Sequence, residues 1–190
     1  MKHFILMALL FCFSVGLQAE TWNVDNQASQ VNFISVKKRD AAEVHRFTQV
    51  EGRLSETGFE LSIPLKSVQT NIEIRDQRMQ SMLFEVAKFP ELKLTAQIKS
   101  KMVDSMVIGQ RQVLSVPAKI SLHGFVQSMT IDVVIAKLSD QQVMATSLQP
   151  IIVSADGFGL GEGIEKLRQI ASLSSISWAV PVTFVLVLNK

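Results

Sequence analysis

Few residues in this sequence could do chemistry. Beyond residue 20 there are two histidines, His45 and His123, on separate segments, and the charged pair of most interest is Arg75-Asp76. A zinc site takes four protein ligands, or three and a water. Two isolated imidazoles, with no His-x-x-x-His spacing and no cysteine beside them, do not supply that. Each histidine is therefore expected to be exposed or hydrogen-bonded, and no metal or cofactor is expected. Serines are plentiful, but no Gly-x-Ser-x-Gly elbow presents one as a nucleophile. Gly157, Gly159, Gly161 and Gly163 crowd together. They lack both the Lys-Ser/Thr pair of a phosphate loop and the Gly-x-Gly-x-x-Gly spacing after a strand, and are read as a flexible connection.

Arg75 has two readings. Its planar guanidinium fork could hold a phosphate or carboxylate head group. Alternatively, Arg75 or Asp76 fixes a short helix through backbone hydrogen bonds. Charged pairs near helix ends are commonly structural, and the second reading is favoured.

The aromatic residues carry more of the functional signal. The chain has eleven Phe and two Trp but no Tyr. Phe33, Phe47, Phe84, Phe89, Phe125, Phe158 and Phe184 are spread over many segments. A base-stacking platform would interleave such residues with basic ones, and that pattern is absent. The formal net charge is only +2, with no basic face of the kind nucleic acid requires. Some of these rings must be core, and others could line a cavity.

Mostly short, alternating β-type segments position these residues. Val31 to Val36 alternates as a half-buried strand should. Lys37-Lys38-Arg39-Asp40 is a solvated charge run that could touch anionic head groups. Val44 to Leu54 reads as one long strand, with Gly52 marking a bend or bulge. Phe59–Ile63, Leu92–Ile98, Met102–Ile108, Val113–Leu122, Met129–Leu138, Val143–Leu148 and Ile151–Val153 follow. Gly109-Gln110-Arg111, His123-Gly124 and Ser139-Asp140-Gln141 serve as turns. Trp178 to Leu188 closes the chain as a strand that is apolar on both faces.

Two stretches break the β pattern. In Ser67–Pro90, Thr70 followed by Glu73 has capping-box spacing. Ile72, Met79, Met82 and Leu83 can then share one face of a short amphipathic helix. Gly161–Ser175 places Ile164, Leu167, Ile170 and Ala171 at helical spacing. This second helix is expected to cover one end of the fold as a lid, with the glycines ahead of it as a hinge. Roughly eight to ten strands joined by short turns indicate an all-β antiparallel barrel or sandwich.

Hydrophobic residues make up 47% of the chain and charged residues 19%, enough apolar material for a substantial core. Met1-Lys2-His3 is a short basic start, Phe4 to Val15 is apolar, and Gly16-Leu17-Gln18-Ala19 offers a cleavage site after Ala19. The run is too short to span a bilayer comfortably. Residues 1–19 are therefore expected to be a cleaved signal peptide, and 20–190 one domain. The single cysteine, Cys12, lies inside that signal. The mature chain is then without a thiol, a disulfide or a thiolate site.

The order of several segments resembles the YceI-like family of lipid- and polyisoprenoid-binding proteins. The resemblance begins at Trp22-Asn23-Val24-Asp25 and Val31-Asn32-Phe33, and continues through Val50-Glu51-Gly52-Arg53-Leu54. It is strongest in Ser67-Val68-Gln69-Thr70 with Arg75-Asp76 and the run Phe84 to Pro90. It resumes at Leu122-His123-Gly124 and Asp156-Gly157-Phe158-Gly159. It implies an extended, lipocalin-like antiparallel β-barrel of about eight strands with one or two short helices. It also implies an apolar tunnel holding an isoprenoid or other long lipid chain, and export to the periplasm.

On that basis the candidate ligand-binding residues are Phe33, Phe47, Phe84 and Phe89 on the tunnel wall, with Arg75 and His123. The expected partner is an isoprenoid or fatty lipid, with transient membrane contact possible and no nucleic acid. The expected role is that of a periplasmic, non-enzymatic carrier. Two alternatives stand beside it: an accessory protein or enzyme acting on an isoprenoid quinone or lipid, and a structural barrel with a filled core.

Overall fold

The computed structural model describes residues 21–190. The expected signal peptide, its cleavage point and Cys12 lie outside the described residues. Twelve strands join in one antiparallel sheet that closes on itself. They are β1 (Trp22–Val24), β2 (Gln30–Lys37), β3 (Ala41–Phe47), β4 (Glu51–Ser55), β5 (Gly58–Pro64) and β6 (Val68–Gln69). After these come β7 (Glu91–Ala96), β8 (Arg111–Leu122), β9 (Phe125–Ser139), β10 (Gln142–Ser147), β11 (Ile151–Ser154) and β12 (Ala179–Asn189).

Several short strands are halves of a single stave. β1 and β2 both pair with β12, β4 pairs with β1 and β5, and β3 pairs with β2 and β6. β10 and β11 lie end to end along β12. Read this way, eight staves run up and down in chain order, and β12 closes the ring against β1 and β2. Closure removes the exposed edges that an open sheet would carry.

Period-two alternation builds the lumen. In β8, Val116, Ala118, Ile120 and Leu122 are buried; in β9, Ile131, Val133 and Ile135 are. These two strands meet at His123-Gly124, where both residues have positive φ, 53° and 82°. A two-residue hairpin loop of that form matches the twist of the flanking strands. The histidine therefore has a backbone role in the turn.

The expected long strand over Val44–Leu54 is broken at residues 48–50, so β3 and β4 are successive parts of one stave. Gly52 is regularly paired with Leu61 and makes no bulge. Instead, a Cβ there would lie 2.7 Å from the Glu60 carbonyl oxygen, so the glycine permits close strand approach.

Three helices close the ends: α1 (Glu73–Arg78), α2 (Ser100–Asp104) and α3 (Gly161–Ile170). The expected strand over Met102–Ile108 is overturned by α2. Val103 and Met106 are both buried, and their i, i+3 spacing suits a helical plug rather than an alternating strand. Gly109-Gln110 consequently links α2 to β8 and is not a β-hairpin.

The Thr70–Glu73 capping box does not form either. Asn71 has φ 62° and turns the chain before the helix starts, leaving Ile72 at the N-cap with no side-chain cap. Thr70 instead gives both its backbone N–H and its hydroxyl to Asp76. A π-helical turn at Met79–Leu83 prolongs α1, with Phe84 N–H donating to the Met79 carbonyl at 2.9 Å. Met79 and Leu83 are buried, while Ile72 and Met82 stay exposed.

Candidate functional site

Two apolar clusters divide the barrel interior. One surrounds Trp22, Val103 and Met106 at the α2 end; the other joins Leu65, Phe84, Phe158, Leu160 and Ile164 beneath α1 and α3. A cavity of about 230 Å³ runs between them. Its wall includes Leu54, Val143 and Leu188 towards α2, Leu94, Ile120 and Val133 in the middle, and Met79, Leu83 and Ile164 at the other end. All of the side chains lining it are apolar.

Phe33, Phe47 and Phe84 form part of this wall. Phe33 and Phe47 stack with centroids 5.4 Å apart, and Phe47 lies 6.1 Å from Phe84. β2 and β3 put the first two on the lumen side, opposite one another in neighbouring register pairs. Phe84 comes from the end of the π-helical turn.

Phe89 and His123 sit together, outside the cavity wall. Their rings are 4.4 Å apart, and His123 Nε2 lies 3.1 Å from a Glu85 carboxylate oxygen. Lys88 and then His123 hold that carboxyl below its ordinary value. The Phe89 ring also covers Gly124, so this group clasps the β8–β9 turn. The sequence contained no signal that separates Phe89 from the cavity phenylalanines.

Arg75 is a tie between elements. One guanidinium nitrogen donates to Glu43 of β3 and the other to the Thr70 carbonyl at 2.6 Å. Glu43 also pairs with Lys37 of β2 at 2.6 Å. The Lys37 hydrogen bond, then Arg75, holds the Glu43 carboxyl below its ordinary value despite some burial.

His45 lies beside this cluster and is only 4% exposed. Its ring stands 5.2 Å from Phe33, and Nε2 is 2.8 Å from the Ser35 hydroxyl. Burial, then the nearby Arg75 charge, pushes its imidazole below the usual histidine value. Strand alternation was the sequence signal for it: His45 shares a face with Phe47, two residues on.

A serine beside a histidine invites a catalytic reading, but the arrangement is not that of a nucleophile relay. In such a relay the carboxylate orients the histidine through the ring nitrogen remote from the serine. Here Glu43 lies 3.9 Å from Nε2, the nitrogen already facing Ser35. Among the described residues, no three His, Cys, Asp or Glu side chains converge as metal ligands.

The opposite end is shut. Trp22 is fully buried, with Lys137 Nζ 4.9 Å and Lys190 Nζ 5.1 Å from its ring. Its indole N–H donates to Asp104 at 3.2 Å, and Asp104 pairs with Lys190 at 3.0 Å. Lys137 continues the inward face of Ile131, Val133 and Ile135. It gives the lumen its one buried cation among the described residues.

Known structures share this architecture. A polyisoprenoid-binding domain from Saccharophagus degradans, implicated in plant cell wall breakdown, is 35% identical with a TM-score of 0.87. The match covers 89% of this chain and 98% of that one. BcnA of Burkholderia cenocepacia is 16% identical with a TM-score of 0.65, over 86% of this chain and 98% of its own. A YCEI protein of Campylobacter jejuni is 13% identical with a TM-score of 0.54, over 77% and 84% respectively. No curated protein matches the sequence. The model of the YceI-like domain matches residues 22–188, nearly the whole described barrel; the chain belongs to the YceI-like family.

Proposed function

We propose that this protein is a non-enzymatic carrier that holds an isoprenoid or other long-chain apolar lipid inside its barrel. The observation that carries the reading is the cavity wall, which is apolar from the α2 end to the π-helical turn. A polar or charged ligand would lose its hydration there without a partner. An alkyl or prenyl chain has no such loss. Each methylene removed from water contributes about 0.8 kcal/mol, offset by the chain freedom lost on binding. Micromolar or tighter affinity is the expected result. The relative from Saccharophagus degradans, described as a polyisoprenoid-binding domain, supports the ligand class.

The carrier acts in the periplasm after removal of residues 1–19, and meets membranes transiently to load or release its lipid. The test is displacement of a fluorescent polyene fatty acid from the purified barrel by prenyl lipids of increasing length. Affinity should rise with chain length until the cavity is filled. Failure of both probe and prenyl lipids to bind would reject the carrier reading.

A further inference from the structure

A lipid carried in this barrel has a polar end as well as an apolar chain. On the lumen side of β2 and β3 the residues change character in order: Val31 opposite Phe47, Phe33 opposite His45, then Ser35 opposite Glu43. Lys37 and Arg75 follow, both on Glu43. His45 thus stands behind the wall, its ring 5.2 Å from the lining ring of Phe33, between the apolar side chains and the charged ones.

That imidazole is incompletely used. His45 Nδ1 is buried without a hydrogen-bond partner, and so is Arg75 Nε in the same cluster. A buried ring nitrogen left unpaired is costly and calls for a partner. When the Ser35 hydroxyl donates to Nε2, Nδ1 carries the proton and is a donor awaiting an acceptor.

We infer that His45 is the head-group residue of this carrier and that it takes an uncharged oxygen, a hydroxyl or carbonyl at the end of the lipid chain. This inference rests on the carrier reading. The charges around the site select against phosphate. Lys37 and Arg75 are both engaged by Glu43, Asp76 is engaged by Thr70, and the two cations therefore face two carboxylates. A multiply charged head would enter a site with no surplus positive charge. A neutral oxygen needs only the donor that Nδ1–H supplies.

The experiment measures wild-type affinities for three probes with the same tetraprenyl chain: the hydrocarbon, geranylgeraniol and geranylgeranyl diphosphate. The alcohol should bind about five- to tenfold more tightly than the hydrocarbon, the gain expected of one buried hydrogen bond. The diphosphate should bind no more tightly than the alcohol. His45→Phe should bring the alcohol-to-hydrocarbon ratio to about one, and His45→Gln, which keeps an N–H donor, should restore part of it. The wild type gives a second readout if His45→Phe fails to fold. In protein carrying ¹⁵N-histidine, the His45 Nδ1 resonance should shift with the alcohol and not with the hydrocarbon.

Equal binding of alcohol and hydrocarbon would overturn the head-group assignment while leaving the carrier reading intact. It would mean that Nδ1 is served by water. A preference for the diphosphate would overturn it in favour of anion recognition by Arg75 and Lys37. Binding of none of the three would overturn both readings.

Discussion

Arg75 of α1 and Glu43 of β3 are joined by a charge-assisted hydrogen bond across the helical end of the barrel. The same guanidinium holds the Thr70 carbonyl. One side chain therefore fixes the entry to α1 against a stave of the sheet. The pair is partly exposed, so solvent screening limits its worth. Arg75→Ala is expected to cost about 1–2 kcal/mol, read as a lower thermal midpoint. Binding of neutral lipids should fall only through that loss of folded protein. A selective loss of phosphorylated lipids at unchanged stability would instead make Arg75 a head-group ligand.

Gly163 of α3 lies directly on the π-helical turn. A Cβ there would stand 2.7 Å from the Met82 carbonyl oxygen and 2.8 Å from Leu83 Cα, both backbone atoms. Gly163→Ala is expected to push α3 outward and cost about 1–3 kcal/mol. Urea unfolding should show a lower midpoint, and amide exchange in residues 161–170 should quicken. An unchanged midpoint would mean that the two segments are not in rigid contact.

The expected lid role of α3 is tested by the same exchange measurement on the wild type. Ile164 is buried and lines the cavity, whereas Ile170 is 43% exposed, so only the first part of the helix can sense an occupant. Lipid should slow exchange most near Ile164 and least near Ile170. Identical exchange with and without lipid would dismiss the lid.

Acid should destabilise the protein in two stages. The folded state holds the His45 imidazole below the ordinary value of 6.5. Protonation therefore favours the unfolded chain, and this group's contribution, complete above pH 6.5, is lost as pH falls through its folded value. Glu43 is also held below its ordinary value of 4.5, so its contribution is complete above 4.5 and lost below it. Urea midpoints measured from pH 8 to pH 4 should begin to fall near pH 6.5. His45→Phe should flatten that first decline. Wild-type stability that is constant down to pH 5 would contradict the burial of a neutral imidazole.

The barrel was legible because β8 and β9 alternate over long stretches, and alternation is the direct imprint of a two-sided strand. Features decided by tertiary packing were less legible. The apolar residues of Met102–Ile108 suggested a strand, but the two that are buried, Val103 and Met106, are three apart, as a helical turn plugging the barrel end requires. Thr70 and Glu73 have capping spacing, but the left-handed Asn71 between them moves the helix start. Phe89 is as apolar as Phe47, yet it covers a turn while Phe47 lines the lumen. Lys137 and His45 were legible only by following alternation through a polar residue.

The carrier role requires a lipid chain in the lumen. It is tested most directly by extracting purified, exported protein with organic solvent and weighing the extract by mass spectrometry. A long-chain lipid in near-stoichiometric amount is the expected result. Phe33→Arg, which buries an unpaired charge in the wall, and Ala118→Phe, which fills the lumen, should each reduce it to a small fraction in protein that remains folded by circular dichroism. Wild-type extracts free of lipid, from a protein that also fails to take up added prenyl lipid, would contradict the account and leave a structural barrel.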